Sequence, residues 1–112
     1  MDNNNLPQEV TQLHADICSA LGDPRRILIL YALSEQNLNV SDLAKQVSIS
    51  QPAASRHLKI LRERGLVHPV RNGASVEYRI TDRRIIQALD ILRGFLRDRI
   101  NYRASLLLGE EA

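Results

Sequence analysis

The chain has 112 residues, a formal net charge of +2, 44% hydrophobic residues and one cysteine. This length fits one domain, and the apolar fraction excludes a disordered chain. A single cysteine excludes an internal disulfide and a multi-thiolate zinc site within one chain, and it favours a reducing, cytoplasmic location. No stretch approaches the roughly 18 apolar residues of a membrane span, so we expect no membrane partner. A domain this small buries only about 65% of its unfolded surface, which favours a second subunit as a source of further burial.

The positive charge is concentrated in one part of the chain. Residues 1–23 carry four acidic and no basic side chains, whereas residues 50–84 carry eight basic and three acidic ones. A concentrated positive segment is typical of proteins that bind a polyanion, although an arginine-rich solvated face gives the same pattern. Charge alone therefore leaves both interpretations open.

Apolar spacing and capping residues predict two helices in the first third of the chain. An amphipathic helix over Gln8–Leu21 is expected to end at Gly22. A largely buried helix over Pro24–Ser34 follows, with Asp23 as its N-cap.

Two further helices are predicted in close succession. The first is capped by Ser41 or Asp42, and the second begins near its cap Ser50 and runs to Arg64, where Gly65 ends it. Two helices joined by a turn of about 3–4 residues form the helix-turn-helix arrangement.

Beyond these helices, the hydrophobic period changes from helical to two, which predicts a β-hairpin over residues 66–80. The dipeptide Asn72-Gly73 is a strong signal for a two-residue turn at its centre. The cross-strand pairs expected from that turn are Val67 with Tyr78, Pro69 with Val76 and His68 with Glu77.

A last helix, capped by Thr81 or Asp82, completes the predicted fold. Its apolar stripe consists of Ile85, Leu89, Leu92, Leu96 and Ile100. The chain is therefore expected to be one domain over residues 1–112, mainly α with a small β-hairpin, in the winged helix-turn-helix arrangement.

The second helix of the predicted pair separates an apolar face from a polar, basic one. The residues Ala54, Leu58 and Leu61 share one side, and Gln51, Ser55, Lys59 and Arg62 share the other. Gln can bind adenine and Arg can bind guanine in the major groove, while a short Ser lets a helix approach closely. A solvated face is the alternative for an isolated helix, but the adjoining helix and hairpin favour DNA binding.

The hairpin tip is expected to add contacts to the sugar-phosphate backbone or the minor groove. The predicted DNA-binding residues are Ser50, Gln51, Ser55, Arg56, Lys59, Arg62, Arg71 and Asn72.

Four segments carry specific motifs: ALGDPRRILIL at residues 20–30, VSDLA at 40–44, ISQPAASRHLKILRERGLV at 49–67 and RNG at 71–73. In this order and at this spacing they resemble the signatures of the ArsR/SmtB family of bacterial winged-helix repressors. The resemblance implies an obligate-type homodimer that represses transcription and leaves its DNA operator when an inducer binds. It places DNA reading on Gln51, Ser55 and Arg56, and dimerisation on the first and last helices. Two reading helices related by a two-fold axis predict an inverted-repeat operator.

The apolar positions of those two helices give a predicted dimer interface that consists of Leu13, Ile17, Leu89, Leu92 and Leu96.

The usual metal sites of the resembled family are not matched. Where metal-sensing members carry cysteine before the first helix of the pair, this chain has Asn39 and Ser41. The positions that match their other site are occupied by Asp82, Arg84, Phe95 and Asp98. Both imidazoles of that site are missing, so we expect no metal and no cofactor. The effector is then an unidentified small molecule or a redox signal.

Three alternatives bear on these interpretations. His14 and Cys18 are neighbours on the first helix but give too few metal ligands, while a thiol- or redox-responsive repressor using Cys18 stays open. No nucleophile-base constellation or phosphate loop is present, so an enzyme is not expected. The rival from another class is a winged-helix protein–protein assembly module, whose sign is weak, salt-insensitive DNA binding.

Three further residues have predicted structural roles. His57 is expected to be a half-buried structural histidine, because it lies between the packed and exposed faces of its helix. Arg25 and Arg26 are expected to form ion pairs or to be solvated rather than to contact phosphate.

Overall fold

The structure is a computed structural model and describes residues 5–109. In chain order its elements are α1 (Leu6–Leu13), a π-helical turn (His14–Cys18), a 3-10 turn (Ala20–Gly22), α2 (Pro24–Glu35), α3 (Val40–Gln46), α4 (Gln51–Glu63), β1 (Val67–Asn72), β2 (Ser75–Ile80) and α5 (Arg84–Leu107). Of these residues, those up to Asp82 form one compact unit, and those from Arg83 to Gly109 form a second. Helices α3 and α4 followed by an antiparallel hairpin are a winged helix-turn-helix, as predicted.

The N-terminal helix differs from the uninterrupted helix predicted to run to Leu21. After α1 the backbone widens into the π-helical turn, where the amide of Ser19 donates to the carbonyl of His14 over 3.0 Å. It then tightens into the 3-10 turn, and the guanidinium of Arg26 donates to the carbonyls of Ser19 and Ala20. A side chain from α2 thus donates to carbonyls at the end of this helical segment, where the Ser19 carbonyl also accepts from the amide of Gly22. Local apolar spacing carries no information about such a partner.

Helix α2 begins where predicted and supplies much of the core. The Asp23 carboxylate accepts from the amide of Arg25 over 2.8 Å, and Pro24 takes the first helical position. The fully buried large side chains of the protein come from α2, α3, α4 and β1, and they are Ile29, Leu30, Leu43, Leu58, Leu61 and Val67. This core holds the helix pair and the base of the hairpin together.

Helix α3 begins earlier than predicted. Its N-cap is Asn39, whose side-chain oxygen accepts from the amide of Asp42 over 2.8 Å, and not Ser41 or Asp42. The cap lies two residues before Ser41, and the sequence left this choice open because Asn, Ser and Asp are all favoured at helix N-termini. The N-cap of α4 is Ser50, as predicted, and its hydroxyl accepts from the amide of Ala53 over 3.2 Å.

The hairpin register differs from the predicted one. Asn72 extends β1 and pairs with Ser75, so the two turn residues are Gly73 and Ala74. Of these two, Gly73 alone has a positive φ, of 65°, which is the pattern of a type II′ turn rather than the type I′ turn that Asn-Gly favours. The observed pairs are Val67 with Ile80, His68 with Arg79, Pro69 with Tyr78, Val70 with Glu77 and Arg71 with Val76. All three predicted pairs, Val67 with Tyr78, Pro69 with Val76 and His68 with Glu77, are therefore wrong.

The base of the hairpin is fixed by two groups of backbone hydrogen bonds. Leu38 and Tyr78 exchange both amide–carbonyl bonds, at 2.8 and 3.2 Å, and so add a one-residue third strand. At the other end, the hydroxyl of Thr81 donates to the carbonyl of Gly65 over 2.7 Å. That hydroxyl is thereby used outside α5, whose N-cap is Arg83 without a side-chain cap, and neither Thr81 nor Asp82 caps the last helix.

Helix α5 is 24 residues long and buries only Ile86 and Leu89. Ile85 is half-buried, and the other large apolar side chains of the helix are exposed. Among residues 5–109, no helix combines the length and apolar character needed to cross a membrane.

Candidate nucleic-acid interface

Helix α4 has one buried and one exposed face. Ala54, Leu58 and Leu61 are at most 1% exposed, and Ala53 and His57 join them on the buried side. The exposed side carries Gln51, Ser55, Arg56, Lys59 and Arg62. The predicted separation of the two faces is confirmed, so the polar and basic side chains stand clear of the core.

The N-terminus of α4 adds a partial positive charge to this exposed face, because the first amides of a helix lack intrahelical acceptors. Gln51 and Pro52 lie in this first turn and are exposed. Ser50 uses its oxygen as an acceptor for the Ala53 amide, which leaves its hydroxyl proton free for an acceptor on a ligand. The arrangement suits an anion placed at the start of the helix.

Two long-range contacts hold α4 against the N-terminal helical segment. Near its middle, the Nδ1 atom of the buried His57 lies 3.5 Å from Nη1 of Arg26, the same arginine that binds the carbonyls of Ser19 and Ala20. Just after its last residue, Arg64 donates to the carbonyl of Ala15 over 3.0 Å. The α4 helix therefore has a defined position relative to the N-terminal segment.

Arg64 also pairs with the carboxylate of Asp16, at 3.3 Å. Sequence reasoning missed both roles of this arginine, because partners almost 50 residues apart leave no local pattern. The acidic residues of the N-terminal segment predict that a basic partner exists, but they do not identify Arg64 as that partner.

The charges around His57 shift two pKa values. Burial lowers the pKa of His57 below its usual 6.5, and the nearby Arg25, Arg26 and Arg56 act in the same direction against an opposing effect of Asp23. The side-chain hydrogen bond from Arg25, joined by the backbone amide of the same residue, lowers the pKa of Asp23 to about 2. Arg25 thus forms the ion pair that was predicted for it, at 3.0 Å from Asp23.

The hairpin presents Arg71 and Asn72 at the exposed end of β1. The side-chain amide of Asn72 donates to the carboxylate of Glu77 over 3.2 Å, and the hydroxyl of Ser75 donates to the Asn72 carbonyl. Asn72 therefore stabilises the turn, and Arg71 supplies the positive charge nearest the tip.

The predicted dimer residues fall into two groups by exposure. Leu13, Leu92 and Leu96 are more than half exposed, and Ile17 is half-buried. Leu89 is only 5% exposed in the single chain, so this member of the predicted dimer interface has almost no surface left for a partner to contact. Leu92 and Leu96 follow Leu89 by three and seven residues on the same side of α5, but they lie further from the start of the helix and are exposed.

A second exposed apolar stripe on α5 was missed by the sequence analysis. It consists of Ile91, Phe95, Tyr102 and Leu106, whose successive spacings of four, seven and four residues place them on one side of the helix. The guanidinium of Arg99 lies 5.7 Å from the ring centre of Phe95. Charged residues between these positions hid the stripe, because the sequence analysis followed a single apolar face.

Of the positions compared with metal-sensing proteins, Asn39 caps α3. The cysteine of the chain, Cys18, is an exposed thiol at the end of the π-helical turn. Within residues 5–109, no three His, Cys, Asp or Glu side chains come together in a group that could hold a metal ion.

Several known regulatory proteins are similar to this chain in sequence. The sequence model of the bacterial regulatory protein, arsR family, matches residues 23–68, which span α2 to the start of β1. A transcriptional repressor SmtB homolog from Synechocystis sp. is 40% identical over 75 residues, which cover 67% of this chain and 57% of that protein. The biofilm growth-associated repressor of Xylella fastidiosa is 33% identical over 78 residues, with 70% of this chain and 68% of that protein covered.

A solved structure shares the fold. The homodimeric winged helix-turn-helix DNA-binding domain of Mb0332 from Mycobacterium bovis superimposes with a TM-score of 0.76 at 23% identity, over 90% of this chain and 93% of that one. The chain spans less than two thirds of the Synechocystis relative's length. The matched motifs, the exposed face of α4 and these relatives together show that the chain belongs to the arsR family of bacterial regulatory proteins.

Proposed function

We propose that this protein is a transcriptional repressor, without catalytic activity, that binds an inverted-repeat DNA operator as a homodimer. The observation that carries the proposal is the exposed face of α4, where amide, hydroxyl and basic side chains stand opposite a fully packed face. Both relatives aligned above are named repressors. A helix with this composition fits the major groove, which offers each base pair a distinct pattern of donors and acceptors.

The side chains of this face divide into two roles. Gln51, Ser55 and Arg56 lie in the first half of α4, the part of a recognition helix that contacts base edges, and we assign them to reading the sequence. Lys59 and Arg62 lie further along and Arg71 lies on the hairpin, and these charges neutralise phosphates. Ser50 and Asn72 flank the two groups as further hydrogen-bond donors to the DNA backbone.

A homodimer follows from the apolar surface that a single chain leaves exposed. Leu13, Leu92 and Leu96 are more than half exposed, and Ile17 is half-buried. The Mycobacterium bovis domain with the same fold is homodimeric. A two-fold axis presents two α4 helices to successive turns of the duplex, which places the half-sites about one helical turn apart.

The effector of this repressor is proposed to be a small molecule or a redox signal and not a metal bound at the usual family sites. Asn39 is already used as a helix cap, and arginine at position 84 is cationic and cannot ligate a metal. The exposed Cys18 keeps the thiol-responsive alternative as a prediction. In that case, an oxidant would release operator DNA from the wild type and not from Cys18→Ser.

The test of the proposal is DNA affinity as a function of salt. Fluorescence anisotropy with a duplex selected from a random library is expected to show tight binding. The logarithm of the association constant should fall steeply as the logarithm of the salt concentration rises. The slope should be about −0.9 for each phosphate neutralised. Weak binding that does not respond to salt would instead support the protein–protein assembly module and overturn the repressor.

A further inference from the structure

A groove of about 500 Å³ lies between the hairpin and the helix pair. One face of the hairpin contributes Pro69, Arg71, Val76 and Tyr78 to it, and the other wall is formed by Val40 at the start of α3 and Arg62 on α4. The volume is within the range of about 300–1,000 Å³ typical of sites for small molecules.

The hairpin register explains why this wall is formed by these four residues. Pro69 pairs with Tyr78 and Arg71 pairs with Val76, so all four side chains project from the same face of the two-stranded sheet. Tyr78 is additionally fixed by its paired hydrogen bonds with Leu38, which also places the chain leading to Val40 beside the hairpin. The groove is therefore built before any ligand binds.

The charges of the groove have a single sign. Two of its six lining residues, Arg62 and Arg71, are cationic, and none is acidic. In the part of the chain that the structure describes, neither guanidinium takes part in a hydrogen bond or an ion pair. Two unpartnered guanidinium groups suit a carboxylate, which each can bind with two parallel hydrogen bonds.

The rest of the groove is apolar. Val76 is 39% exposed although it lies in a strand, and Val40, Pro69 and the ring of Tyr78 are partly exposed beside it. These side chains offer a flat, rigid surface to an aromatic or other planar hydrocarbon body. Phosphate groups of DNA would use the two arginines but would leave this apolar surface without a partner.

We propose that the groove binds a small organic anion with a planar apolar body, of the arenecarboxylate class, and that this ligand releases the protein from DNA. The carboxylate pairs with Arg62 and Arg71, while the ring system packs on Val76 and Tyr78. The release rests on the proposed function, because these arginines are two of the residues assigned to DNA phosphates. Ligand and DNA then compete for the same charges.

The probe for this site is 2-naphthoate, with the uncharged 2-naphthalenemethanol as its matched control. Titration calorimetry on the full chain is expected to show one naphthoate per subunit with a Kd below about 1 mM, and at least tenfold weaker binding of the alcohol. The Arg62→Gln/Arg71→Gln variant should lose at least tenfold in naphthoate affinity. Lys59→Gln, which removes an α4 charge outside the groove, should stay within about twofold of the wild type.

A second variant disturbs both the apolar wall and the charge of the groove without removing an arginine. Val76→Glu places a carboxylate directly across from Arg71, and we expect it to lower naphthoate affinity at least tenfold. Equal affinity for naphthoate and the alcohol, or naphthoate binding that survives both variants, would overturn the proposed site.

Measuring DNA binding in the presence of naphthoate separates this inference from the proposed function. Saturating naphthoate is expected to lower operator affinity of the wild type, and to leave the residual DNA binding of the double arginine variant unchanged. Operator binding that is insensitive to naphthoate would overturn the ligand-driven release while the repressor stands. Arginine-dependent naphthoate binding by a protein that binds no duplex would overturn the repressor and leave the ligand site in place.

Discussion

The two units of the protein differ in how much of their apolar side-chain surface is exposed. The first unit, up to Asp82, encloses a core in which Leu30, Leu43 and Leu61 have no exposed surface at all, although Leu13 and Leu28 lie outside that core and are exposed. On α5, by contrast, Ile91 is 72% exposed and Leu92 60% exposed. The first unit completes its own core, whereas the helix retains surface whose burial requires another molecule.

This difference indicates where the second subunit contributes. Exposed apolar patches larger than a few hundred Å² are uncommon on monomeric proteins and mark interaction surfaces. Each fully buried leucine stabilises a fold by about 1.5–3 kcal/mol relative to an exposed one, so several such residues on one helix represent a large driving force for association. The proposed DNA-binding face of α4 lies in the first unit, whereas the proposed dimer interface takes Leu92 and Leu96 from the second unit and Leu13 and Ile17 from the first.

The largest effect is expected from a charge on α5. Leu92→Glu would place an unpaired carboxylate in the proposed interface, at a cost of several kcal/mol. Light scattering should show monomer, and operator affinity should fall by at least 100-fold because a single α4 helix reads only half of the site. Gln87→Glu adds the same charge at an exposed polar position of α5 and should leave the dimer intact. A Leu92→Glu dimer with full operator affinity would place the interface elsewhere.

A core substitution in the first unit should behave differently. Leu58→Ala removes a side chain that is 1% exposed, and it is expected to lower the free energy of unfolding by about 2–5 kcal/mol. The loss should be the same at low and high protein concentration, since the side chain packs within one subunit. Leu92→Ala, as the matched truncation on α5, should make stability depend more strongly on concentration. Chemical denaturation of both variants at two protein concentrations measures these effects. A concentration-dependent loss in Leu58→Ala together with a concentration-independent one in Leu92→Ala would contradict the difference between the units.

The sequence predicted the first unit well where its signals are local. The exposed and buried faces of α4 follow from a period of 3.6 residues, and the caps Asp23 and Ser50 are the short polar residues that helix N-termini favour. The hairpin was found but its register was not, because Asn72-Gly73 and Gly73-Ala74 are both workable turns. Backbone pairing over the whole hairpin, including the Leu38–Tyr78 bridge, selects between them.

Interactions over long sequence distances were the part that the sequence did not predict. The contacts from Arg26 and Arg64 to the N-terminal segment join residues whose spacing follows no periodic pattern. Likewise, the burial of Leu89 depends on packing that a helical stripe alone does not reveal, since Leu92 and Leu96 belong to the same stripe and are exposed. Periodicity identifies a face but not the molecule that covers it.

Within the first unit, substitutions on the exposed face should alter DNA binding without altering the fold. Arg56→Ala or Gln51→Ala is expected to cost about 1–3 kcal/mol on operator DNA and to relax sequence preference. Lys59→Ala should weaken binding to operator and random DNA alike. Anisotropy titrations with both duplexes distinguish the two outcomes. Equal losses on both duplexes for all three variants would show that this face positions the protein and does not read the sequence.

A smaller effect is expected from pH. Burial lowers the pKa of His57, so the unfolded chain takes up a proton near pH 6.5 while the folded protein does so only at lower pH. The free energy of unfolding should therefore be full above pH 6.5 and decrease as pH falls below it. Chemical denaturation between pH 7.5 and 5 measures the slope, at about half-unit steps. His57→Gln should flatten it, and an unchanged slope in that variant would assign the pH dependence to other groups.

The most direct test of the account is a footprint on a selected operator combined with the mass of the complex. A dimer with one reading helix per subunit predicts two chains on each duplex and two protected half-sites related by two-fold symmetry, about 10–10.5 base pairs apart from centre to centre. The protection should disappear in Leu92→Glu, although the first unit of that variant remains folded. One chain bound to each duplex at an asymmetric site would contradict the account.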